Sequence, residues 1–124
     1  MLWLRSQLID YLVLDYALAV EDAHGRPTLW ASLGNHLRTA NVNISDLELI
    51  ETLKGLRQES RLRLIKWYDG LSFQDYSEYD EHRGFFNGEF RLLVTREGRK
   101  YHGEAQTHLL VATPANNRNI GFHA

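Results

Sequence analysis

Near Arg61 the spacing of apolar residues changes from that of a helix to that of a strand, and this limits what the chain can fold into. Before that point apolar residues recur three and four apart. Leu4, Leu8 and Leu12 trace one such line, Leu29, Trp30, Leu33, Leu37 and Ala40 a second, and Leu49, Ile50, Leu53 and Leu56 a third. After it, Leu62, Leu64 and Ile65 alternate imperfectly with Arg61, Arg63 and Lys66, and Glu89 to Thr95 reads as another strand. Three helices followed by a ribbon place the chain in the α+β class, mostly α.

Local signals set the boundaries. The segment Leu8 to Val20 is apolar on nearly all sides, so it must bury most of its surface, inside the domain or against a second copy. Asp10 and Asp15 interrupt it. It therefore lacks the unbroken run of about 20 apolar residues of a membrane span, or the cleavage pattern of a secretory leader. The expectation is a cytoplasmic protein without a membrane segment. Gly25 and Pro27 close the first helix, and the second runs from Thr28 to Ala40. Ser45 or Asp46 caps the third, with Glu48 placed for a capping box, and that helix reaches about Glu59. A strand follows through Tyr68. Asp69-Gly70, Gly84 and Asn87-Gly88 mark turns in a long acidic and aromatic loop, residues 68–86. Thr95 caps a last helix from Arg96, Gly103 is its weak point, and Pro114 stops it. The reading is one domain over 1–113 with a polar tail over 114–124.

The run Ile44 to Leu64, ISDLELIETLKGLRQESRLRL, resembles the third helix and first wing strand of winged helix-turn-helix proteins. The run Phe90 to Tyr101, FRLLVTREGRKY, resembles their second wing strand and the T-x-x-G-x-x-Y opening of their last helix, as in small bacterial regulators of the MarR and PadR kind. The resemblance covers about residues 2–112. It implies three helices, a two-stranded β-wing with a long loop, and a C-terminal helix. It also implies a transcriptional regulator that binds double-stranded DNA as a homodimer paired through its first and last helices.

In that docking mode the third helix enters the major groove and the wing lies on the backbone. The residues fitted to it are Thr52, Lys54 and Arg57 on the third helix, and Arg38, Asn41, Asn43 and Ser45 around the preceding turn. Arg61, Arg63 and Arg83 are placed to hold phosphates. Arg and Asn can bridge base edges or grip phosphate. Charge opposes the assignment. Lys plus Arg is 14 against 16 Asp plus Glu, a net charge of -2, and the third helix carries Asp46, Glu48, Glu51 and Glu59 against Lys54 and Arg57. Duplex DNA selects positive surfaces. The alternative is a winged-helix module that binds a protein through the loop 68–86, with Tyr76 and Tyr79 as aromatic anchors.

Other chemistry finds little support in the residues. The absence of cysteine removes thiol catalysis and cysteine-held metals. His102 and His108 are six apart, a spacing that does not share a helix face, and no metal-binding, nucleotide-binding or nucleophile motif occurs. The expectation is a non-enzymatic protein with no cofactor and no metal. Asp10 and Asp15 read as a polar stripe on an apolar helix.

Overall fold

The computed structural model describes residues 4–68, 72–75 and 90–112. The first helix, α1, spans Arg5–His24. The Gln7 side chain accepts the Leu4 amide at 3.0 Å at its start. Gly25 ends it in the left-handed region (φ 65°), where a residue without Cβ costs least. Ile9, Val13, Leu14, Ala17 and Leu18 are buried together with Leu33, Leu49, Leu53 and Phe90. The near-uniform apolarity of α1 thus has an internal explanation: α2, α3, the last helix and two strands all pack on it.

The second helix is shorter than its sequence pattern suggests. Thr28 and Leu29 form a strand, β1, and α2 occupies Trp30–Thr39. Thr28 pairs with Leu92 and Leu29 with Arg91, so pairing with a strand far along the chain outweighs the local helical spacing. The Arg91 guanidinium donates to the Pro27 carbonyl at 3.1 Å and holds this short strand in place.

Helix α3 spans Asp46–Gln58 with Ser45 as its cap, the Ser45 Oγ accepting the Glu48 amide at 3.1 Å. Only half of the expected capping box forms, because the Glu48 carboxylate turns to Arg5 instead. Leu49, Ile50, Leu53 and Leu56 are buried as their spacing requires. Ser60, at φ 61°, turns the chain out of the helix.

Strand β2 runs Leu62–Tyr68, β3 runs Ser72–Asp75 and β4 runs Phe90–Val94. The sheet order is β1-β4-β2-β3 and every pair is antiparallel. Phe90, Leu92 and Val94 of β4 and Leu62 and Leu64 of β2 point into the helical core, so the sheet closes the open side of the helix cluster. Within the stretch expected to be loop, 68–86, residues Ser72–Asp75 are strand instead: Ile65 pairs with Asp75 and Tyr68 with Ser72. Four residues are too short a run to show a period of two among acids and aromatics. The last helix, α4, spans Arg96–Ala112. Thr95 caps it, its Oγ1 accepting the Gly98 amide at 2.9 Å and donating to the Ser60 carbonyl at 2.6 Å. One side chain therefore fixes the end of α3, the start of β2 and the start of α4. No helix among the described residues is long and apolar enough to cross a membrane.

Candidate nucleic-acid interface

The turn between α2 and α3 is built by residues that sequence reasoning assigned to DNA. Arg38 reaches from α2, its Nε donating to the Ile44 carbonyl at 3.0 Å and its terminal nitrogen bonding the Asp46 carboxylate. Asn41 takes a left-handed conformation (φ 66°), which Asn tolerates better than most residues. The Asn43 carbonyl accepts from Arg5, and Ser45 spends its hydroxyl on the helix cap. Arg38 and Ser45 thus shape the turn, while the side chains of Asn41 and Asn43 are exposed at its surface.

The acidic character of α3 looks different once partners are placed. Glu48 pairs with Arg5 of α1 at 3.0 Å. Asp46 pairs with Arg38 of α2, and Glu59, just past the helix, pairs with Arg61 at 2.9 Å. Each of these acids answers a cation from a neighbouring segment. Glu51 has no ion-pair partner among the described residues.

The side chains of α3 divide into two flanks. Toward α1, Glu48, Glu51, Thr52, Gly55 and Glu59 line a groove of about 500 Å³ with Asp10. Thr52 donates its hydroxyl to the Glu48 carbonyl at 2.9 Å. Thr52 therefore lies on the acidic flank, away from the basic residues it was grouped with. Burial, with Glu59 nearby, pushes the Asp10 carboxyl up to about 6, against an opposing pull from Arg61. Asp10 is half-buried rather than part of an exposed polar stripe.

On the other flank Lys54 and Arg57 are three residues apart and so adjacent on the helix surface. Arg57 and Arg63 line one depression of about 290 Å³ with Ser60, Asp75 and Thr95, where the end of α3 meets the β2–β3 hairpin. Arg63 grips Asp75 with two bonds, Nε to Oδ1 and a terminal nitrogen to Oδ2, both 3.0 Å. That bond raises the already high Arg63 pKa further.

Arg61 does not join them. Its guanidinium stacks 3.7 Å above the Tyr101 ring of α4. The sequence pattern had placed Arg61, Arg63 and Lys66 on one basic strand face. In the fold, Arg61 turns to α4 and Arg63 to β3, while Lys66 has the parity of the core residues Leu62 and Leu64. Arg83, Tyr76 and Tyr79 lie outside the described residues.

Three residues that organise these contacts were not among the site residues expected from the sequence. Arg5 and Tyr101 act through partners more than 35 positions away, which no local pattern reveals. Asp75 was read as one acid among several in a loop. Only its strand pairing brings it to Arg63.

The two helices expected to pair copies of the chain pack on one another within it. His102 of α4 stacks on Tyr11 at 5.0 Å and bonds Asp15 at 2.9 Å, and Arg99 pairs with Asp22 at 3.2 Å. Among the described residues no three metal-ligating side chains converge. No protein-family model matches the chain, and neither a curated protein nor a solved structure matches it.

Proposed function

We propose that the chain is a winged helix-turn-helix protein that binds double-stranded DNA and regulates transcription from the cytoplasm, as a binding protein rather than an enzyme. The observation that carries this reading is the order of elements together with the sheet order. A short strand precedes α2, β2 and β4 pair side by side, and α3 packs against β2, the first strand of the β2–β3 hairpin. In this reading the β2–β3 hairpin belongs to the wing. Lys54 and Arg57 supply the basic flank of the reading helix, Arg63 the backbone grip, and Asn41 and Asn43 the exposed amides at the leading turn. The pairing of most α3 acids supports the reading too, because it lowers the local repulsion toward phosphate. Two copies pair through the outward sides of α1 and α4, since their facing sides already touch within one chain.

The test is fluorescence anisotropy with a labelled mixed-sequence duplex at several salt concentrations. Micromolar binding that weakens steeply with salt is expected, and Arg57→Glu abolishes it. Unchanged affinity and salt dependence in Arg57→Glu would refute the docking mode. A second reading, a winged-helix module that binds a protein, draws support from the engagement of Arg38, Arg61 and Arg63 with carboxylates. Absence of duplex binding at low salt by a folded sample would favour it.

A further inference from the structure

Most polar side chains of α3 are spent on this chain, but a crest along the helix is not. Asp46 pairs with Arg38, Glu48 with Arg5, and Glu59, just past the helix, with Arg61. The Thr52 hydroxyl donates to the Glu48 carbonyl. Leu49, Leu53 and Leu56 are buried in the core. Opposite them run Leu47, Glu51, Lys54 and Gln58, at the i, i+4, i+7 and i+11 spacing of one helix line. Glu51 stands toward the acidic groove and Lys54 toward the other flank. Among the described residues Glu51, Lys54 and Gln58 make no ion pair and no side-chain hydrogen bond. Leu47 is 64% exposed, a state that only Leu4 shares among the large apolar side chains described.

An α-helix laid in the major groove presents such a crest to the base edges. A carboxylate there selects by repulsion. Guanine offers it the acceptors N7 and O6, and thymine the acceptor O4. Adenine places its N6 amine beside the N7 acceptor. Cytosine offers its N4 amine with no acceptor of its own on that edge. One turn toward the start of α3, Leu47 brings a branched apolar group, and thymine carries a methyl in the same groove. Four residues of helix advance about 6 Å, which is about two base steps.

We propose that Glu51 and Leu47 are specificity-determining residues of α3, the Glu51 carboxylate accepting from a cytosine N4 amine and Leu47 covering the methyl of a thymine one or two base pairs away. The assignment rests on the DNA reading and adds to it which bases the site contains. It also gives a use to the one α3 carboxylate that no cation among the described residues answers. On a cytosine that group bonds; on any other base it weakens the complex.

Wild type, Glu51→Gln, Leu47→Ala and a control, Asp22→Asn, are each used to select duplexes from a pool with a randomised centre, and the enriched sites are sequenced. Asp22→Asn removes the same charge from an exposed ion pair with Arg99. Duplex anisotropy then compares the wild-type site with single-base changes and with deoxyuridine in place of thymine, which removes only the methyl. Wild type and Asp22→Asn are expected to enrich the same site with one fixed cytosine. They prefer that cytosine by about 5- to 100-fold, the cost of one mismatched base pair. Glu51→Gln exchanges that cytosine for adenine, since an amide bridges N6 and N7, and leaves the other positions of the site alone. Deoxyuridine weakens wild-type binding about fourfold, for one methyl-sized group left unburied, and leaves Leu47→Ala unaffected.

Duplex binding with no fixed cytosine among the enriched sequences, or identical base preferences in wild type and Glu51→Gln, overturns the assignment and leaves the DNA reading standing. Equal binding of thymine and deoxyuridine sites by wild type overturns the part given to Leu47. No enriched sequence and no duplex bound at low salt by folded wild type ends both the assignment and the DNA reading.

Discussion

Two glycines in α4 predict opposite outcomes for the same substitution. Gly98 sits in the first turn, buried against the junction of β2 and β4. A Cβ there would stand 2.8 Å from Val94 Cγ1 and well inside contact distance of the Arg61 carbonyl oxygen. The obstructing oxygen is backbone, so it cannot swing aside as a long side chain would. The same helix turn is pinned by the Thr95 hydroxyl to the Gly98 amide and to Ser60, which leaves little room for a shift. Overpacking of this kind costs about 1–3 kcal/mol or more, against roughly 0.5–1 kcal/mol gained by replacing glycine inside a helix. Gly98→Ala is therefore expected to lose about 2 kcal/mol and, at a few degrees per kcal/mol, to lower Tm by about 8 °C. Gly103, five residues on, is exposed and a Cβ there meets nothing within 4 Å. Gly103→Ala keeps the helix gain alone and raises Tm by about 2–4 °C. Thermal unfolding followed by circular dichroism measures both. A Gly98→Ala protein as stable as wild type would show that α4 does not lie against the Arg61 carbonyl, and the packing of this corner would have to be redrawn.

Other perturbations test separate parts of the account. Asp10, pushed up to about 6 in the fold from an ordinary 3.8, binds its proton more tightly when folded. Its protonated form thus favours the fold below about pH 4, and that contribution is lost as pH rises toward 6. Asp10→Asn is expected to raise Tm at pH 7 and to make no difference at pH 4; an equal effect at both would mean the carboxyl is not desolvated. Ser45→Ala removes the cap of α3 and is expected to cost about 1 kcal/mol in denaturant unfolding. A loss under a few tenths of that would place the start of α3 elsewhere. Arg5→Ala, which breaks an exposed pair, is expected to cost at most about 1 kcal/mol. A larger loss would show that Arg5 holds the α2–α3 turn through the Asn43 carbonyl rather than merely meeting Glu48.

The helices were largely legible in the sequence because their signals are local. The spacing of Leu49, Ile50, Leu53 and Leu56, the Ser45 cap and the Gly25 stop all appear where the residues indicate. So do the strand after Arg61 and the Thr95 start of the last helix. What was missed depends on contacts between distant segments. Thr28 and Leu29 look like the first turn of a helix until β4 pairs with them. Ser72 to Asp75 looks like loop until β2 pairs with it. The candidate surface suffered most, since charge read along a sequence says nothing of partners. Glu48 is answered by Arg5 and Arg63 by Asp75, pairings that no local spacing shows. Thr52 and Lys54 are two residues apart, yet a helix sends them to opposite flanks, one beside acids and one beside Arg57.

The central claim is that the flank of α3 bearing Lys54 and Arg57 and the β2–β3 hairpin together form a DNA-docking face. Its most direct test is amide chemical-shift mapping on isotopically labelled protein titrated with a short mixed-sequence duplex at low salt. The account predicts perturbations concentrated at residues 41–45, along the 54–58 end of α3 and along 63–75. It predicts little change in the acidic groove at Asp10 and Thr52. Perturbations centred on the outer face of α4, around Lys100 and His108, or none anywhere, would contradict it.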